Sequence, residues 1–425
     1  MTNIDRASLR VSGVSLPVPA EAVAVSSRRW IIICVFAALS SINYLDRQLL
    51  AATAPDIKMA FGLSNSQYGL LISAFSFAYM LCAPAAGVLV DRFNLRTTAT
   101  VSVAAWCLIT MLTGSLTFGF ATLVTLRFFL GAAEASGVPS SSKASATYLS
   151  SREQAFGNSI HSVGMTLGAV AAPIIAGVVS PVYGWRSVFL IAGFCTLGWI
   201  PLWLWISREV PTPATLQKTK KRVPVRSIMG DRRLWAVVIA SSLVIATQSL
   251  WANWTTVFLV QEYRMTQAAA NAYFAWIPPV FASLGGIVGG IFAMKYIRLD
   301  DLLRSRLRIC YLGAPLLCGT ALVPLMPSAV WVVVAICISF FACTMVLINM
   351  HVIPIDLFGA EHAGFTSSCL VASFALAQMV ISPAIGFFVD HFSFRIVCVL
   401  ISMLSLLGIL VLAGSTKPPA TEPRA

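Results

Sequence analysis

The sequence predicts an all-α membrane protein with twelve transmembrane helices, arranged as two six-helix bundles that contain inverted three-helix repeats. Of its 425 residues, 58% are hydrophobic and 11% are charged, whereas a soluble domain carries roughly 25% charged residues. Apolar runs recur along nearly the whole chain, each near the ~20 residues that a helix needs to cross a bilayer. A glycine–arginine spacing also recurs at the ends of several runs, on alternating sides of the membrane.

The apolar runs define the twelve spans. Each is expected to be helical, because a backbone in lipid must satisfy its hydrogen bonds within the segment. The spans are predicted at residues 29–52, 67–90, 97–116, 119–143, 155–180, 187–207, 234–259, 270–294, 306–326, 328–352, 363–389 and 394–414. The predicted organisation is a tail (1–28), a six-helix bundle (29–207), a polar linker (208–233), a second six-helix bundle (234–414) and a second tail (415–425).

The positive charges predict the orientation. Of the 29 Lys and Arg residues, 23 fall in segments that are cytoplasmic if the N-terminus lies in the cytoplasm. The segments on the other side hold only Lys58, Arg186, Arg264 and Arg395. Because basic loops stay in the cytoplasm, we expect a multi-pass protein of the cell inner membrane with both termini cytoplasmic. The net charge of +13 then reflects topology in a lipid bilayer, and no nucleic-acid partner is expected.

The sequence carries no motif of an enzyme or of a cofactor site. The ten cysteines are scattered singly, without a CxxC pair, and we find no Walker loop, GxGxxG fingerprint or HExxH motif. We therefore expect no enzymatic activity, no cofactor and no metal. An ATP-driven pump is not expected on the same grounds. The expected oligomeric state is a monomer.

Four charged residues interrupt apolar spans: Asp46 and Arg47 in the first, Arg127 and Glu134 in the fourth. A charge at the bilayer centre costs roughly 2.5–3.5 kcal/mol on insertion scales, so such residues are usually functional. Arg127 and Glu134 are seven residues apart, which places them on one helix face roughly 10 Å apart along the axis. Asp46 and Arg127 are expected at similar depth, as a pair. The alternative is a purely structural ion-pair network.

These charges also predict a chemistry. They sum to zero when both acids are ionised, so protonating one acid leaves a positive cavity that favours an incoming carboxylate. Arginine stays protonated and can hold a carboxylate in a bidentate fork, while a carboxylate withdrawn from water binds a proton more readily. Glu134, nearer the cytoplasmic half, is the expected residue of proton release. The set therefore predicts proton-coupled import of an organic anion.

Other polar residues in the spans are candidate substrate ligands. Each has the alternative of an interhelical hydrogen bond or a packed core position. The candidates are Asn43, Tyr44, Tyr79, Gln261, Asn349 and Gln378, with Gln248 and Asn253 as further possibilities.

An internal repeat closes the second helix of three-helix units. Each copy places an arginine nine residues after a glycine: Gly87 with Arg96, Gly177 with Arg186, and Gly386 with Arg395. The first copy faces the cytoplasm and the other two face the outside in the predicted topology. That alternation is typical of inverted repeats, which place a substrate site near the midplane between the two halves.

One copy of the repeat resembles a known signature. The stretch Gly87-x-Leu89-x-Asp91-Arg92-x-x-x-Arg96 is similar to the loop 2–3 motif of the major facilitator superfamily, which also has twelve spans and a central linker. The resemblance implies that Gly87, Asp91, Arg92 and Arg96 act in gating, by latching helix ends of the two halves in one state of the cycle. Ordinary helix capping and topology charge are the alternative.

A narrower resemblance is to the anion:cation symporter family, which includes sugar-acid transporters. Its pattern is carried by Asn43-Tyr44-Leu45-Asp46-Arg47 and by Arg127-x-x-x-Gly131-x-x-Glu134. The resemblance implies that Asp46 and Glu134 take protons and that Arg47 and Arg127 meet the substrate carboxylate.

The second half departs from that family. Met294 stands where relatives carry an acidic residue, and Leu376 stands where they carry an asparagine-type residue. A polyol acid needs many amide and hydroxyl partners, so these departures favour a less hydroxylated acid, such as a small or aromatic carboxylate.

The sequence as a whole predicts a secondary transporter that imports a small organic anion by proton symport through alternating access. A drug or cation exporter of the same superfamily is one alternative, although a buried arginine disfavours a cationic substrate. A nutrient receptor that binds without transporting is the other.

Overall fold

The computed structural model describes residues 20–149, 153–208, 226–297, 302–359 and 363–415. Within these ranges the chain is helical and contains no strand. Twelve helices are long and apolar enough to cross a membrane, judged by length and composition. The predicted all-α membrane fold is therefore confirmed. Most of the predicted linker and the outer parts of both predicted tails lie outside the described residues.

The helices are numbered in chain order. They are α1 (Ala20–Ala52), α2 (Ala54–Phe61), α3 (Asn65–Arg92), α4 (Leu95–Ser115), α5 (Phe120–Glu134), α6 (Gly137–Tyr148), α7 (Gln154–Tyr183), α8 (Trp185–Leu197), α9 (Trp199–Ile206), α10 (Arg226–Met229), α11 (Arg232–Glu262), α12 (Gln267–Ala270), a π-helical turn (Asn271–Ala275), α13 (Ile277–Ile297), α14 (Leu302–Cys318), a 3₁₀ segment (Gly319–Leu325), α15 (Ala329–Phe358), α16 (Ala363–His391) and α17 (Phe394–Ser415). Spans four, six, eight and nine each combine two or more of these elements.

The fourth span is interrupted directly after Glu134, where α5 ends and α6 begins at Gly137. Pro139 explains the interruption, because its ring would clash with the carbonyl of Ala135 and it has no N–H to donate. Proline is tolerated in the first turn of a helix, which is its position in α6. The uninterrupted span predicted at 119–143 is therefore two helices, and Glu134 sits at the junction.

The helices pack closely at glycines. A methyl group on Gly168 of α7 would lie 1.9 Å from the Ser41 carbonyl oxygen of α1, and one on Gly131 of α5 would lie 2.3 Å from the Phe75 carbonyl oxygen of α3. Small residues allow such backbone approach between membrane helices, where packing rather than hydrophobic burial drives association. These contacts fix α1 against α7 and α3 against α5, and so position the charged residues of α1 and α5.

We expect Gly168→Ala to lower the stability of the protein, because the added methyl group would overlap the α1 backbone. Overpacking of this kind costs about 1–3 kcal/mol. Thermal unfolding in detergent, followed by tryptophan fluorescence, measures the effect. The matched control is Gly286→Ala in α13, where an added methyl group would meet no atom within 4 Å. Equal melting temperatures for the two variants would contradict the packing described for α1 and α7.

Candidate substrate site

An ion pair between Arg47 of α1 and Glu134 of α5 lies at one wall of the site, where Arg47 lines the cavity and Glu134 is buried behind it. Arg47 Nε lies 2.8 Å from Glu134 Oε2, and the Glu134 side chain is fully buried. Three aromatic rings surround the Arg47 guanidinium, with centroids 5.5 Å away for Tyr44, 4.9 Å for Phe75 and 4.7 Å for Tyr79. Cation–π contacts of this kind hold a guanidinium in place in a desolvated setting.

The pair expected between Asp46 and Arg127 does not form. The ion pair of this cluster is Arg47 with Glu134 instead, and Asp46 Oδ2 accepts a hydrogen bond from Thr110 Oγ1 at 3.5 Å. Asp46 and Arg127 are almost fully buried, at 1% and 2% exposure. Arg127 packs over the Phe189 ring, with its guanidinium carbon 5.5 Å from the centroid. Similar depth in the membrane was not enough to predict the pairing, because the direction in which each side chain points decides which charges meet.

Three guanidinium nitrogens at the site are buried and have no hydrogen-bond partner among the described residues. They are Arg47 Nη2, Arg127 Nε and Arg127 Nη2. Buried donors are nearly always paired in proteins, so each such group needs an explanation. Both arginines line the same cavity, so a carboxylate that entered it would meet the two guanidinium groups.

Two adjoining cavities of about 130 Å³ and 200 Å³ lie between the first six and the last six spans. We call the smaller one, which contains the arginines, the polar compartment, and the larger one the apolar compartment. Both are lined by Tyr44, Gln48, Gln248 and Ala252, so they are neighbours that share these four side chains. The polar side chains of the polar compartment are Tyr44, Arg47, Gln48, Arg127, Gln248, Ser249, Asn253 and Gln378.

The candidate ligands predicted from sequence divide into two groups. Tyr44 and Gln378, with both arginines, line the polar compartment. Asn43 is buried beside Gly137 of α6, and Tyr79 stacks on Phe75.

Gln261 and Asn349 lie elsewhere in the molecule. The Gln261 amide donates to Asn65 Oδ1 at 3.3 Å, and the Asn349 amide donates to the Met345 carbonyl at 2.9 Å. Both side chains are engaged in hydrogen bonds within the protein, and neither lines the two compartments.

Gln48 is a cavity residue that the sequence reasoning missed. It lines both compartments, although only its neighbours Asn43, Tyr44, Asp46 and Arg47 were predicted from the sequence. Residues four apart share a helix face, so the position of Gln48 one turn after Tyr44 was the signal that could have found it.

Asp390 joins the last six spans to the first six. Its carboxylate accepts hydrogen bonds from the backbone N–H groups of Asn65 (2.9 Å) and Ser66 (2.7 Å), and from Ser66 Oγ (2.6 Å). A carboxylate at a helix N-terminus satisfies free N–H groups and complements the helix dipole. Asp390 therefore ties the end of α16 to the start of α3.

A second set of contacts lies just beyond the C-terminal end of α1. The Asp56 backbone N–H donates to Gln267 Oε1 at 2.9 Å, and the Asn271 amide donates to the Ala52 carbonyl at 2.7 Å. Gln267 and Ser180 also donate to the Asp56 carboxylate. We call this region, with the Asp390 contacts, the closed end.

The predicted gating residues lie at the opposite end of α3. A methyl group on Gly87 would meet no atom within 4 Å, and Arg92 is exposed. Arg96 Nη2 donates to the Leu204 carbonyl at 3.2 Å, within the first six spans. The side chain of Asp91 is outside the described part of the chain.

A sequence model of the Major Facilitator Superfamily matches residues 36–368. The chain belongs to the major facilitator superfamily. It is therefore a multi-pass membrane transporter and not an enzyme. The family predicted from the loop 2–3 signature is confirmed.

Relatives within the superfamily carry the names of organic-anion transporters. A hexuronate transporter of Escherichia coli (strain K12) is 25% identical over 410 residues, covering 91% of this chain and 94% of the relative. A galacturonate transporter of Dickeya chrysanthemi is 27% identical over 74% of this chain and 96% of its own length. A probable sulfoacetate transporter of Cupriavidus necator is 27% identical over 85% of this chain and 88% of its own length.

The fold also matches a solved superfamily structure. The inward-facing, unoccupied bacterial homolog of the human lysosomal transporter Spinster superposes with a TM-score of 0.76 at 17% identity. The match covers 92% of this chain and 99% of that chain. At this identity the likeness shows the fold alone.

Lys58 is a half-buried lysine at the closed end. Its ammonium donates to Asn65 Oδ1. Burial lowers the pKa of Lys58 to about 8, against the opposing attraction of Asp390. The charged lysine is thus disfavoured in the closed form. Below pH 8 that penalty is fully present, and it disappears as the pH rises from about 8 towards the ordinary lysine pKa of about 10.4.

We therefore expect closure at this end to be constant below pH 8 and to become more favourable between pH 8 and 10. Distances between spectroscopic labels at the exposed positions Met59 and Phe392, on opposite sides of the closed end, measure closure. Lys58→Gln should remove the dependence. A wild-type distance distribution that does not change over this pH range would contradict the expectation.

Proposed function

We propose that this transporter imports an organic anion of the sugar-acid type by proton symport through alternating access. The observation that carries the proposal is the set of three unpartnered guanidinium nitrogens on Arg47 and Arg127 beside one cavity. The proposed location is the cell inner membrane with both termini in the cytoplasm, as the distribution of basic residues predicts.

The charge of the cavity favours an anion. Arginine guanidinium groups bind carboxylates through paired charge-assisted hydrogen bonds, and Arg127 has two such donors without a partner. A cationic substrate would be repelled at this wall, which argues against a cation exporter.

The amides of the polar compartment favour a hydroxylated substrate. The side chains of Gln48, Gln248 and Gln378 line it and hydrogen-bond to no other described residue. Each amide can donate and accept, as recognition of sugar hydroxyls requires. The names of the hexuronate and galacturonate relatives agree with this chemistry. These observations support a sugar acid over the less hydroxylated acid that the sequence favoured.

Glu134 is the proposed coupling residue. Its carboxylate forms an ion pair with Arg47 at 2.8 Å. An ionised Glu134 therefore competes with a substrate carboxylate for the same guanidinium. Protonation of Glu134 removes its charge and leaves Arg47 to the substrate, while loss of that proton restores the pair and expels the anion. Asp46, buried beside Thr110, is the second proposed proton acceptor.

Alternating access would use the two ends of the protein. In the proposed topology the closed end, with Asp390 and Asp56, faces outside, and the structure corresponds to a form open to the cytoplasm. The two six-helix bundles, 29–207 and 234–414, would rock about the cavity while the linker 208–233 joins them. Gly87, Asp91, Arg92 and Arg96 would then latch the cytoplasmic end in the opposite state.

The proposal is tested with purified protein in liposomes. Uptake of radiolabelled D-glucuronate and D-galacturonate should increase when the outside is made acidic. Counterflow of labelled against unlabelled substrate separates a transporter from a receptor that only binds. Uptake of these anions without any response to an imposed pH gradient would exclude proton symport.

We expect Glu134→Gln to abolish the response to the pH gradient while counterflow continues. A neutral glutamine leaves Arg47 permanently free for substrate and cannot carry a proton. The matched control is Glu153→Gln, since Glu153 also pairs with an arginine, and that arginine, Arg29, lines neither compartment. Normal gradient-driven uptake by Glu134→Gln would assign proton coupling to another residue.

We expect Arg127→Lys to weaken substrate binding by about tenfold to a hundredfold, because an ammonium cannot form the bidentate fork. Binding of D-glucuronate measured by calorimetry checks this. Arg186→Lys is the control, since Arg186 donates to the Thr117 carbonyl at 2.9 Å and packs over Trp185, away from the cavity. Equal affinity in Arg127→Lys and wild type would remove Arg127 from the site.

A further inference from the structure

The two compartments of the cavity differ in chemistry. The polar compartment holds both arginines and Gln378, whereas Gln48 and Gln248 line both compartments. The apolar compartment is lined by carbon-rich side chains that do not line the polar one: Met165, Ala169, Pro279, Ala282 and Phe340. A sugar acid in the polar compartment leaves this second space without a role.

The hydroxyl groups of the apolar compartment do not alter its character. Thr166 Oγ1 and Ser283 Oγ share a hydrogen bond at 2.7 Å, and the hydroxyl that accepts in it can donate to a backbone carbonyl of its own helix. The Thr344 hydroxyl donates to the Ala282 carbonyl. These hydroxyls are satisfied within the protein, so the remaining polar lining of this compartment is Tyr44, Gln48 and Gln248, which it shares with the polar compartment.

The apolar compartment is large enough for an aromatic ring. Its volume is about 200 Å³, and an apolar protein cavity of about 150 Å³ binds benzene. It adjoins the polar compartment at the shared side chains Tyr44 and Gln48. A ligand that spans both compartments can therefore place its carboxylate at the arginines and an apolar group in the larger space.

We propose that the preferred substrate carries an apolar substituent at the end opposite its carboxylate, as in an O-aryl or O-alkyl glycoside of a uronic acid. This inference rests on the proposed function, because it assumes a carboxylate at Arg47 and Arg127. The hydroxylated ring would lie against the glutamine amides, and the substituent would displace water from the apolar compartment. Transfer of such a group out of water is favourable in proportion to its apolar area.

The test compares the binding of D-glucuronate, methyl β-D-glucuronide and phenyl β-D-glucuronide to the purified full-length protein by calorimetry. Affinity should rise along that series, with phenyl β-D-glucuronide binding about tenfold or more tightly than D-glucuronate. Competition against labelled D-glucuronate uptake in liposomes should give the same order. Equal or weaker binding of the phenyl compound would overturn the inference.

Two variants locate the effect. Ala169→Leu fills part of the apolar compartment, so it should remove the advantage of the phenyl compound while D-glucuronate still binds. Ala104→Leu adds the same group to an exposed position on α4 and should leave both affinities unchanged. Retention of the phenyl advantage in Ala169→Leu would place the ring elsewhere and reject the proposed compartment.

The outcomes separate this inference from the proposed function. Binding of D-glucuronate without a preference for the phenyl compound overturns only the inference. Preferential binding of the phenyl compound without a response of uptake to a pH gradient supports the inference and overturns proton symport. If none of the three acids binds, the inference and the proposed function are both rejected.

Discussion

The ion pair between Arg47 and Glu134 sets the charge of the cavity wall. Removing two charges from water costs more than their attraction commonly returns, so a buried ion pair is weak evidence for a role in stability. Here the wall also contains Arg127, with two donors that have no partner. The interruption of the fourth span before Pro139 places Glu134 at a helix junction rather than in a continuous helix. The arrangement is better explained as a binding wall than as a structural brace.

The first helix connects this wall to the closed end. Arg47 and Ala52 are five residues apart on α1, a rise of about 7.5 Å, and the Ala52 carbonyl accepts from Asn271 of the last six spans. Asp56 and Gln267 extend the same contact. In the proposed cycle, a shift of α1 that follows from exchanging Glu134 for substrate at Arg47 would act directly on these hydrogen bonds. The connection consists of contacts through one rigid element, which is a physical route for coupling.

The spans and the charged residues within them could be predicted from the sequence, but the contact partners of those charged residues could not. Apolar length predicts a transmembrane helix almost unaided, because lipid enforces internal hydrogen bonding, and all twelve spans were found this way. The pairing of Arg47 rather than Arg127 with a carboxylate depends on how α1 and α5 are each held in the bundle, which close contacts such as Gly168 on Ser41 and Gly131 on Phe75 determine. The repeat that contains Asp390 could be recognised in the sequence. The hydrogen bonds of Asp390 to the start of α3 could not be predicted, because they join residues more than 300 positions apart.

In the proposed cycle, charge balance links the number of protons to the charge of the substrate. With Asp46 and Glu134 both ionised, the two arginines are matched and the wall is neutral. One proton on Glu134 leaves one arginine for one carboxylate, so a monoanion such as a uronate enters without adding net charge to a region that solvates charge poorly. A dianion needs a second proton, and Asp46 is the remaining acid of the set. Because Asp46 is held by Thr110 and not by an arginine, its protonation frees no guanidinium directly, and the site is matched best to a single carboxylate.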